Sequence, residues 1–303
     1  MAEQEKLFEI FFPVDVPSIK DGCALMHELA PHVDVLKIGL EMLHHIGTPQ
    51  IVDIASEYGT KLMVDCKISD IPNTVAGGVA GVAWSDVDYL NLVVGNCQRS
   101  AIKGAVKKLE ELSDEFEDCG IAVPELIAVT LMTSWSFSDL LEHGILPPPW
   151  WSFKDNEEEQ TRNIVDLVMN EHKYFAPNNA KFRFAIPDSL SEQASFCTYV
   201  ALKWGKIAYE AGIRTMLSSP REAPAFKLAF PDSDFVSPGI RPPWAPKDDQ
   251  KRTMTPGEAY LSGVKKQVIG RPIRIPPDGM SREEAVRLIR EDVQKAHDSM
   301  QAG

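Results

Sequence analysis

The chain has 303 residues, 44% of them hydrophobic and 25% charged, a composition typical of a globular protein that excludes the disordered and fibrous classes. Its formal net charge of −13 argues against a nucleic-acid partner, because a nucleic-acid-binding surface needs basic residues to meet the phosphates. A local group of basic side chains and backbone N–H groups can still bind one small phosphorylated ligand.

Cysteine usage and the N-terminal sequence predict a cytoplasmic protein. The five cysteines are odd in number and none has C-x-x-C spacing, so neither a disulfide framework nor a zinc site is indicated. The N-terminal MAEQEKLFEI has no basic stretch followed by an apolar run, and no apolar stretch is long enough to span a bilayer. We therefore expect reduced thiols, no signal peptide and no membrane partner.

Short apolar runs alternate with helical patterns along the chain. A first helix is predicted at 20–29, and a second is predicted to begin at Thr48, with Pro49 at its first position and Gly59 at its C-terminal end. The predicted strands are 10–16, 35–40, 62–68, 89–94, 126–131, 215–218, 235–237 and 267–270. Eight strands alternating with helices favour an α/β fold, a closed (β/α)8 TIM barrel, with a doubly wound sheet as the alternative.

Residues 147–190 interrupt this alternation. The segment contains PPPWW, an acidic run, a helical pattern at 161–172 and an extra strand-like run at 182–186. We interpret it as an insertion after the fifth strand, within a single barrel domain that spans residues 1–303. Its aromatic residues suggest packing against the barrel or against a partner, but the sequence does not indicate its role.

Charged residues lie near the predicted C-terminal ends of the first three strands. Asp65 and Lys67 are two apart on the third strand, so both side chains point the same way. Lys37 and Asp15 have matching positions on the second and first strands, and Asp70 follows in the loop. Barrel active sites lie at this end, and alternating charges keep one another ionised, as electrostatic catalysis requires. The alternative is a buried salt-bridge network that only braces the barrel.

A second candidate region follows the seventh strand. The stretch SPGIRPPWAPKDDQKRTMTPGEA is rich in proline and charge, which is typical of a mobile loop. Gly270 and Arg271 end the eighth strand and supply an N–H group and a guanidinium that suit a phosphate. Loops after strands seven and eight commonly bind phosphate in barrels, so we predict a phosphate site here. Lys251 and Arg252 fit ligand contact and a solvated basic pair equally well.

The string DCKISDIPNT, which begins at Asp65, resembles the signature of orotidine 5′-monophosphate decarboxylases. Its shorter D-x-K-x-x-D core is shared with the hexulose-phosphate synthase and ketogulonate-phosphate decarboxylase relatives. The resemblance implies decarboxylation of orotidine 5′-monophosphate to uridine 5′-monophosphate, the last step of de novo pyrimidine nucleotide synthesis, without metal or cofactor. It implies that Lys67 protonates C6 of the pyrimidine, that Asp65 opposes the substrate carboxylate, and that Lys37 orients Asp65 and contacts the ribose. Asp70 and Thr74 would reach into the other subunit's site, which implies a homodimer.

The resemblance extends to residues that would bind the nucleotide. It implies that Gln250 bridges the phosphate and the pyrimidine, that Arg241 anchors the closing loop, and that Thr133 contacts the amide edge of the pyrimidine. The substrate-binding residues predicted in this way, together with those inferred from position, are Asp15, Ile71, Thr74, Thr133, Arg241, Gln250, Gly270 and Arg271.

The sequence departs from the family pattern at one position, and two alternative functions are also compatible with it. Val93 stands where many relatives have histidine, which puts the rate rather than the type of reaction in doubt. The first alternative is a magnesium-dependent sugar-phosphate lyase or aldolase of the same superfamily. The second is a non-catalytic relative that binds pyrimidine nucleotides. The D-I-x-x-T string and the GIRP…DQKR loop favour the nucleotide enzyme over the first, and the four residues Lys37, Asp65, Lys67 and Asp70 favour an enzyme over the second.

Overall fold

Eight parallel strands form a closed barrel in chain order, with β8 pairing back to β1. The structure, a computed structural model, describes residues 6–147, 157–170, 190–246 and 253–302. The strands are β1 (Glu9–Pro13), β2 (Val35–Ile38), β3 (Lys61–Ile68), β4 (Tyr89–Val93), β5 (Glu125–Val129), β6 (Thr215–Leu217), β7 (Asp234–Ser237) and β8 (Lys266–Val268). This closure confirms the predicted (β/α)8 barrel and rules out the doubly wound sheet.

Helices follow the strands and cover the outside of the barrel. The described helices are Ile19–Leu29, Leu40–Ser56, Pro72–Ala83, Arg99–Asp118, Phe137–Glu142, Glu157–Met169, Leu190–Glu210, Ala223–Ala229, Pro256–Leu261, Arg271–Arg274 and Arg282–Ala302, with a 3-10 turn at Pro220–Glu222. Within the described ranges, none of these helices combines the length and the apolar character needed to cross a membrane.

Several predicted strands extend beyond the observed ones at their C-terminal ends. The first was predicted over 10–16, but β1 ends at Pro13. Val14 and Val16 beyond it are still buried, at 0% and 8% exposure. An apolar run therefore marks burial correctly, whereas the end of a strand depends on where the chain leaves its paired neighbours.

The helix after β2 begins earlier than predicted. It runs from Leu40 to Ser56 and is kinked at Gly47, whose φ of 73° and ψ of 161° suit glycine because it has no Cβ. The prediction from Thr48 onward therefore found only the segment after the kink. The missed first segment buries Met42, which is 1% exposed. Gly59, at a φ of 62°, lies in the turn that follows.

Residues 147–190 lie between β5 and β6, which is the predicted position of the insertion. Its described part is the helix Glu157–Met169, which packs against the helix Leu190–Glu210. The apolar side chains that it buries are Ile164, Leu167 and Val168. The strand-like run at 182–186 lies outside the described residues. The single-domain organisation, with this segment as an insertion, stays a prediction.

The barrel interior is a packed apolar layer. All eight strands contribute buried residues to this layer, as expected of a filled barrel. They are Phe11, Val35, Met63, Tyr89, Val93, Ile127, Val129, Leu217, Val236 and Val268. Val93 is 6% exposed and pairs in register with Val129 of β5, so it extends this apolar layer toward the C-terminal end.

An ion cluster closes the N-terminal end of the barrel. Lys266 Nζ lies 2.7 Å from Glu125 Oε1 and 2.8 Å from Asp234 Oδ2, and it sits 5.3 Å from the centre of the Tyr89 ring. Burial by itself lowers the pKa of Lys266, but the hydrogen bonds and charges of Asp234 and Glu125 outweigh it and raise the pKa above its ordinary value. Lys266 is therefore charged at neutral pH although it is only 7% exposed.

We expect Lys266→Met to lower the free energy of unfolding by about 1–2 kcal/mol, because it leaves two carboxylates facing each other without their ammonium. The decrease in unfolding free energy is smaller than for a fully buried ion pair, since the Glu125 and Asp234 side chains are 39% and 41% exposed. Because the folded pKa is raised, the stabilisation is complete below the unfolded pKa of lysine and disappears only as pH rises through the folded value. Urea unfolding at neutral pH therefore measures the full stabilisation that the Lys266 ion cluster contributes.

The matched control for this prediction is Lys265→Met, at the neighbouring exposed lysine. Equal unfolding free energies for the two variants would show that the cluster does not stabilise the barrel.

Candidate active site

Lys37, Asp65 and Lys67 meet at the C-terminal end of the barrel. Lys37 Nζ donates to Asp65 Oδ2 at 2.7 Å, and Lys67 Nζ contacts Asp65 Oδ1. Asp15 Oδ1 lies 3.8 Å from Lys37 Nζ on the other side. The order predicted from the spacing, in which each ammonium lies next to a carboxylate, is therefore the order observed for these four residues.

The site holds its charges in the ionised state. Burial by itself raises the pKa of Asp65, which is 7% exposed, but the charges and hydrogen bonds of Lys37 and Lys67 outweigh it and hold the pKa well below its ordinary value. Burial likewise lowers the pKa of Lys37, and the carboxylates of Asp65 and Asp15 more than compensate, so the pKa is raised. A buried carboxylate between two ammonium groups is thus maintained at neutral pH.

Asn91, on β4, forms hydrogen bonds with both Asp65 and Lys67. Its Nδ2 donates to Asp65 Oδ1 at 2.5 Å, and its Oδ1 accepts from the backbone N–H of Lys67 at 2.8 Å. It is completely buried. The motifs and charge pattern of the sequence did not indicate this residue. The available signal was an amide inside the apolar run YLNLVV, because a buried amide requires hydrogen-bond partners.

The backbone at Lys67 departs from a regular strand. Its φ is 51°, in the left-handed region that residues with a side chain rarely adopt and that costs about 1–3 kcal/mol. The pairing of β3 with β4 is irregular between Val64 and Ile68, so Lys67 lies in a bulge. Bulges re-aim side chains, and here the ammonium, on a side chain that is 28% exposed, reaches the cavity.

A cavity of about 350 Å³ opens above these charges. The predicted site residues that line it are Asp15, Lys37, Asp65, Lys67, Thr133, Arg241, Gly270 and Arg271. Its apolar walls include Val129, Leu217 and Val268 from the barrel interior. Loops after β7 and β8, across the barrel from β3, thus bring arginines to the same space as the Lys–Asp–Lys array.

The arginine side of the cavity is shaped by close backbone packing. A Cβ at Gly270 would lie 2.7 Å from Pro13 Cγ, so only glycine allows this approach to β1. The backbone N–H of Arg241 donates to Met254 O at 2.9 Å, which ties together the two ends of the loop after β7. Gln250, Lys251 and Arg252 lie in that loop, outside the described residues.

Arg274 also lines the cavity, although it was not among the predicted site residues. It lies on the same short helix as Arg271, and its Nη1 donates to the backbone oxygen of Asp15. The available signal was the repeat of arginine three residues after Arg271, which places both residues on one helical face.

Three predicted residues do not line the cavity of their own chain. Asp70, Ile71 and Thr74 are exposed, at the start of the helix Pro72–Ala83. Asp70 Oδ1 accepts from the backbone N–H of Ile71 at 2.6 Å, and Ile71 is 62% exposed. The structure therefore does not bring these residues together with the other predicted site residues within one chain.

The fold and the cavity define a (β/α)8 barrel with its site at the C-terminal ends of the strands. A family model described as "Orotidine 5'-phosphate decarboxylase / HUMPS family" matches residues 9–173. The chain belongs to this family.

Individual relatives agree with the family match. The chain is 32% identical over 276 residues to the orotidine 5′-phosphate decarboxylase of Syntrophomonas wolfei, with 90% of this chain and 92% of that protein covered. It is 30% identical over 281 residues to the orotidine 5′-phosphate decarboxylase of Moorella thermoacetica, with 92% and 90% covered. The crystal structure of orotidine 5′-phosphate decarboxylase from Lactobacillus acidophilus has the same fold, with a TM-score of 0.62, 23% identity, and 94% of this chain and 99% of that chain covered.

Proposed function

We propose that the chain decarboxylates orotidine 5′-monophosphate to uridine 5′-monophosphate, without metal or cofactor. The observation that carries this proposal is the buried Asp65 carboxylate held between the ammonium groups of Lys37 and Lys67 at the wall of the cavity. Arginines line the same cavity from loops across the barrel. Such a cavity suits a substrate that carries a reacting carboxylate at one end and a phosphate at the other.

Lys67 is the proposed proton donor. When the bond between C6 and the carboxylate breaks, carbon dioxide leaves and the electron pair remains on C6, in an orbital in the ring plane that the ring delocalises poorly. The Lys67 ammonium stabilises this charge and transfers a proton to C6, and the resulting amine regains a proton from water. The Lys67 ammonium lies against the carboxylate of Asp65, which fixes its position before the reaction.

Asp65 and Lys37 prepare the site for this step. The ionised Asp65 opposes the carboxylate of the bound substrate, and loss of carbon dioxide removes that repulsion. Lys37 Nζ donates to Asp65 Oδ2 at 2.7 Å, which supports its proposed role of orienting Asp65 and contacting the ribose. Asp15, 3.8 Å from Lys37 Nζ, is assigned to substrate binding beside it. Because the array is fixed before substrate binds, little reorganisation accompanies the reaction.

The phosphate is assigned to Gly270 and Arg271, and Thr133 is assigned to the pyrimidine edge. The hydrogen bond from the backbone N–H of Arg241 to Met254 O supports an anchoring role for Arg241 at the base of the loop after β7. Gln250 would bridge phosphate and pyrimidine from that loop, and this assignment depends on the family resemblance alone. Binding energy from the phosphate, which does not react, can drive the loop to close over the reacting carbon.

Asp70, Ile71 and Thr74 are assigned to substrate binding across a homodimer interface, with Asp70 and Thr74 reaching the partner's site. Their exposure, and their absence from the cavity wall of their own chain, support this assignment. We also propose a cytoplasmic location.

The magnesium-dependent alternative gains no support from the site. Both oxygens of Asp65 already accept hydrogen bonds, from Lys37, Lys67 and Asn91. Within the part of the chain that the structure describes, no group of three or more His, Cys, Asp or Glu side chains is placed to hold a metal ion.

The test is the ultraviolet absorbance of orotidine monophosphate mixed with the purified protein and a chelator. We expect conversion to uridine monophosphate, inhibited by added uridine monophosphate and far less by uridine, which has no phosphate. Binding of uridine monophosphate without turnover would replace the enzyme with the non-catalytic relative. Turnover of sugar phosphates only after magnesium is restored would replace it with the lyase.

A further inference from the structure

Asn91 contacts both groups that carry the proposed chemistry, although it does not line the cavity. We propose that Asn91 is a positioning residue, whose side-chain amide sets the Asp65 carboxylate and the Lys67 backbone in one fixed arrangement. This inference rests on the proposed decarboxylation and names a further residue on which that reaction depends.

The first support is that the two ends of the amide serve two different partners. Nδ2 donates to Asp65 Oδ1, the same oxygen that Lys67 Nζ contacts. Oδ1 accepts from the backbone N–H of Lys67. The position of the carboxylate and the position of the ammonium are therefore coupled through one side chain.

The second support is the irregular backbone beside Asn91. Lys67 has a φ of 51°, and the β3–β4 pairing shifts between Val64 and Ile68. The Asn91 side chain supplies an acceptor for Lys67 N–H within this irregular stretch, so it holds in place the bulge that aims the ammonium at the cavity.

The third support is that packing alone does not call for an amide here. Asn91 is completely buried, its chain neighbours are Leu90 and Leu92, and its register partner on β5 is Ile127. A buried amide costs free energy unless its hydrogen bonds are made, and an apolar residue would fill a strand between such neighbours without that cost. The hydrogen bonds of the amide to Asp65 and Lys67 explain why a polar residue occupies this buried position.

We expect Asn91→Ala to lower kcat about 100-fold, because displacing a reacting group by about 1 Å has an effect of that size. The KM should change by less than about threefold, since the residues assigned to the phosphate and the pyrimidine edge are not in contact with Asn91. Turnover is to be expressed per site able to bind uridine monophosphate, determined by titration, so that unfolded protein does not enter the comparison. A purely structural Asn91 would reduce the number of sites and leave the turnover of each site unchanged.

A second variant gives a readout that lost stability does not produce. In Asn91→Asp, the new carboxylate still accepts from Lys67 N–H but repels Asp65. When protonated, its hydroxyl can donate to Asp65 as the amide did. One of two adjacent carboxyls has a raised pKa, so the ratio of variant to wild-type kcat should rise as pH falls from about 8 to about 5.

The other titratable groups that face residue 91 do not raise the ratio of variant to wild-type kcat as pH falls. Lys67 and Asp65 face it from β3, and both are present in the wild type used as the reference. The Cys66 Sγ lies 3.5 Å from the Asn91 carbonyl oxygen, and burial raises the pKa of this thiol, so it stays protonated over that range. The matched control is Asn96→Asp, the same change at an exposed position just after β4, for which the ratio should stay flat.

The outcomes separate the two proposals. A wild type that does not convert orotidine monophosphate overturns the proposed function, and the role of Asn91 with it. An active wild type whose Asn91→Ala variant keeps kcat per site within about twofold overturns the positioning role alone. A ratio for Asn91→Asp that is independent of pH would also overturn it.

Discussion

Lys67→Ala is expected to lower kcat by at least about 10⁴-fold, because it removes the group proposed both to donate the proton and to stabilise the developing carbanion. General acid catalysis contributes about 10²–10⁴-fold and electrostatic stabilisation about 10²–10³-fold, and the two effects multiply when one group supplies both. Binding of uridine monophosphate should persist, because the phosphate and pyrimidine contacts are assigned to other residues. The measurement is kcat by absorbance, beside nucleotide binding by calorimetry.

The control for this variant is Lys61→Ala, at the other end of β3, where the lysine side chain is 50% exposed and far from the cavity. Its kcat should equal that of the wild type. If Lys67→Ala retained kcat within about tenfold, the proton donor would be another group, although the decarboxylation itself would stand.

The same variant has a consequence for acid stability. The depressed pKa of Asp65 contributes stability above the carboxyl's unfolded pKa, and this stability is lost as pH falls through the folded value. Removing Lys67 takes away one of the charges that depress this pKa, so the folded pKa rises toward the unfolded one. We expect the contribution of Asp65 to be smaller in Lys67→Ala, and its loss on acidification to be complete at a higher pH.

Asp70→Ala is expected to lose at least about 100-fold in kcat, and its activity is expected to return when it is mixed with inactive Lys67→Ala. If Asp70 acts in the partner's site, a heterodimer of the two variants has one intact site and one doubly altered site. Random exchange makes about half of the dimers heterodimers, each with one of two sites intact, so activity should reach about one quarter of the wild-type value. The measurement is activity after subunit exchange of equal amounts.

The control is a mixture of Lys67→Ala with Lys37→Ala. These residues lie in the same chain's site, joined through Asp65, so their heterodimer contains no intact site and should remain inactive. A mixture of Asp70→Ala and Lys67→Ala that stays inactive, although differently tagged subunits are shown to have exchanged, would place Asp70 in its own chain's site or outside the reaction.

The barrel and most of the cavity wall could be predicted from the sequence, for a simple physical reason. Apolar runs alternating with helical patterns specify buried parallel strands, and the C-terminal ends of such strands converge at one end of a barrel. Charged residues at matching positions on β1, β2 and β3 must then meet there, and Asp15, Lys37, Asp65 and Lys67 do so. Their roles in the reaction stay predictions.

Other features depended on contacts between distant parts of the chain. The kink at Gly47 and the left-handed backbone of Lys67 are local conformations that packing selects, and the local sequence does not specify them. Arg274 reaches the cavity because its short helix packs beside the loop that carries Asp15.

Asn91 shows most clearly the limit of reading the sequence alone. Its neighbours along the chain are apolar, and its hydrogen-bond partners are 24 and 26 residues away, on another strand. Which strands form, and which charges converge at the barrel mouth, can be predicted from the residue pattern because both follow from short-range periodicity. How the amide, the carboxylate and the ammonium contact one another depends instead on long-range packing, because it follows from the register and the bulge between β3 and β4.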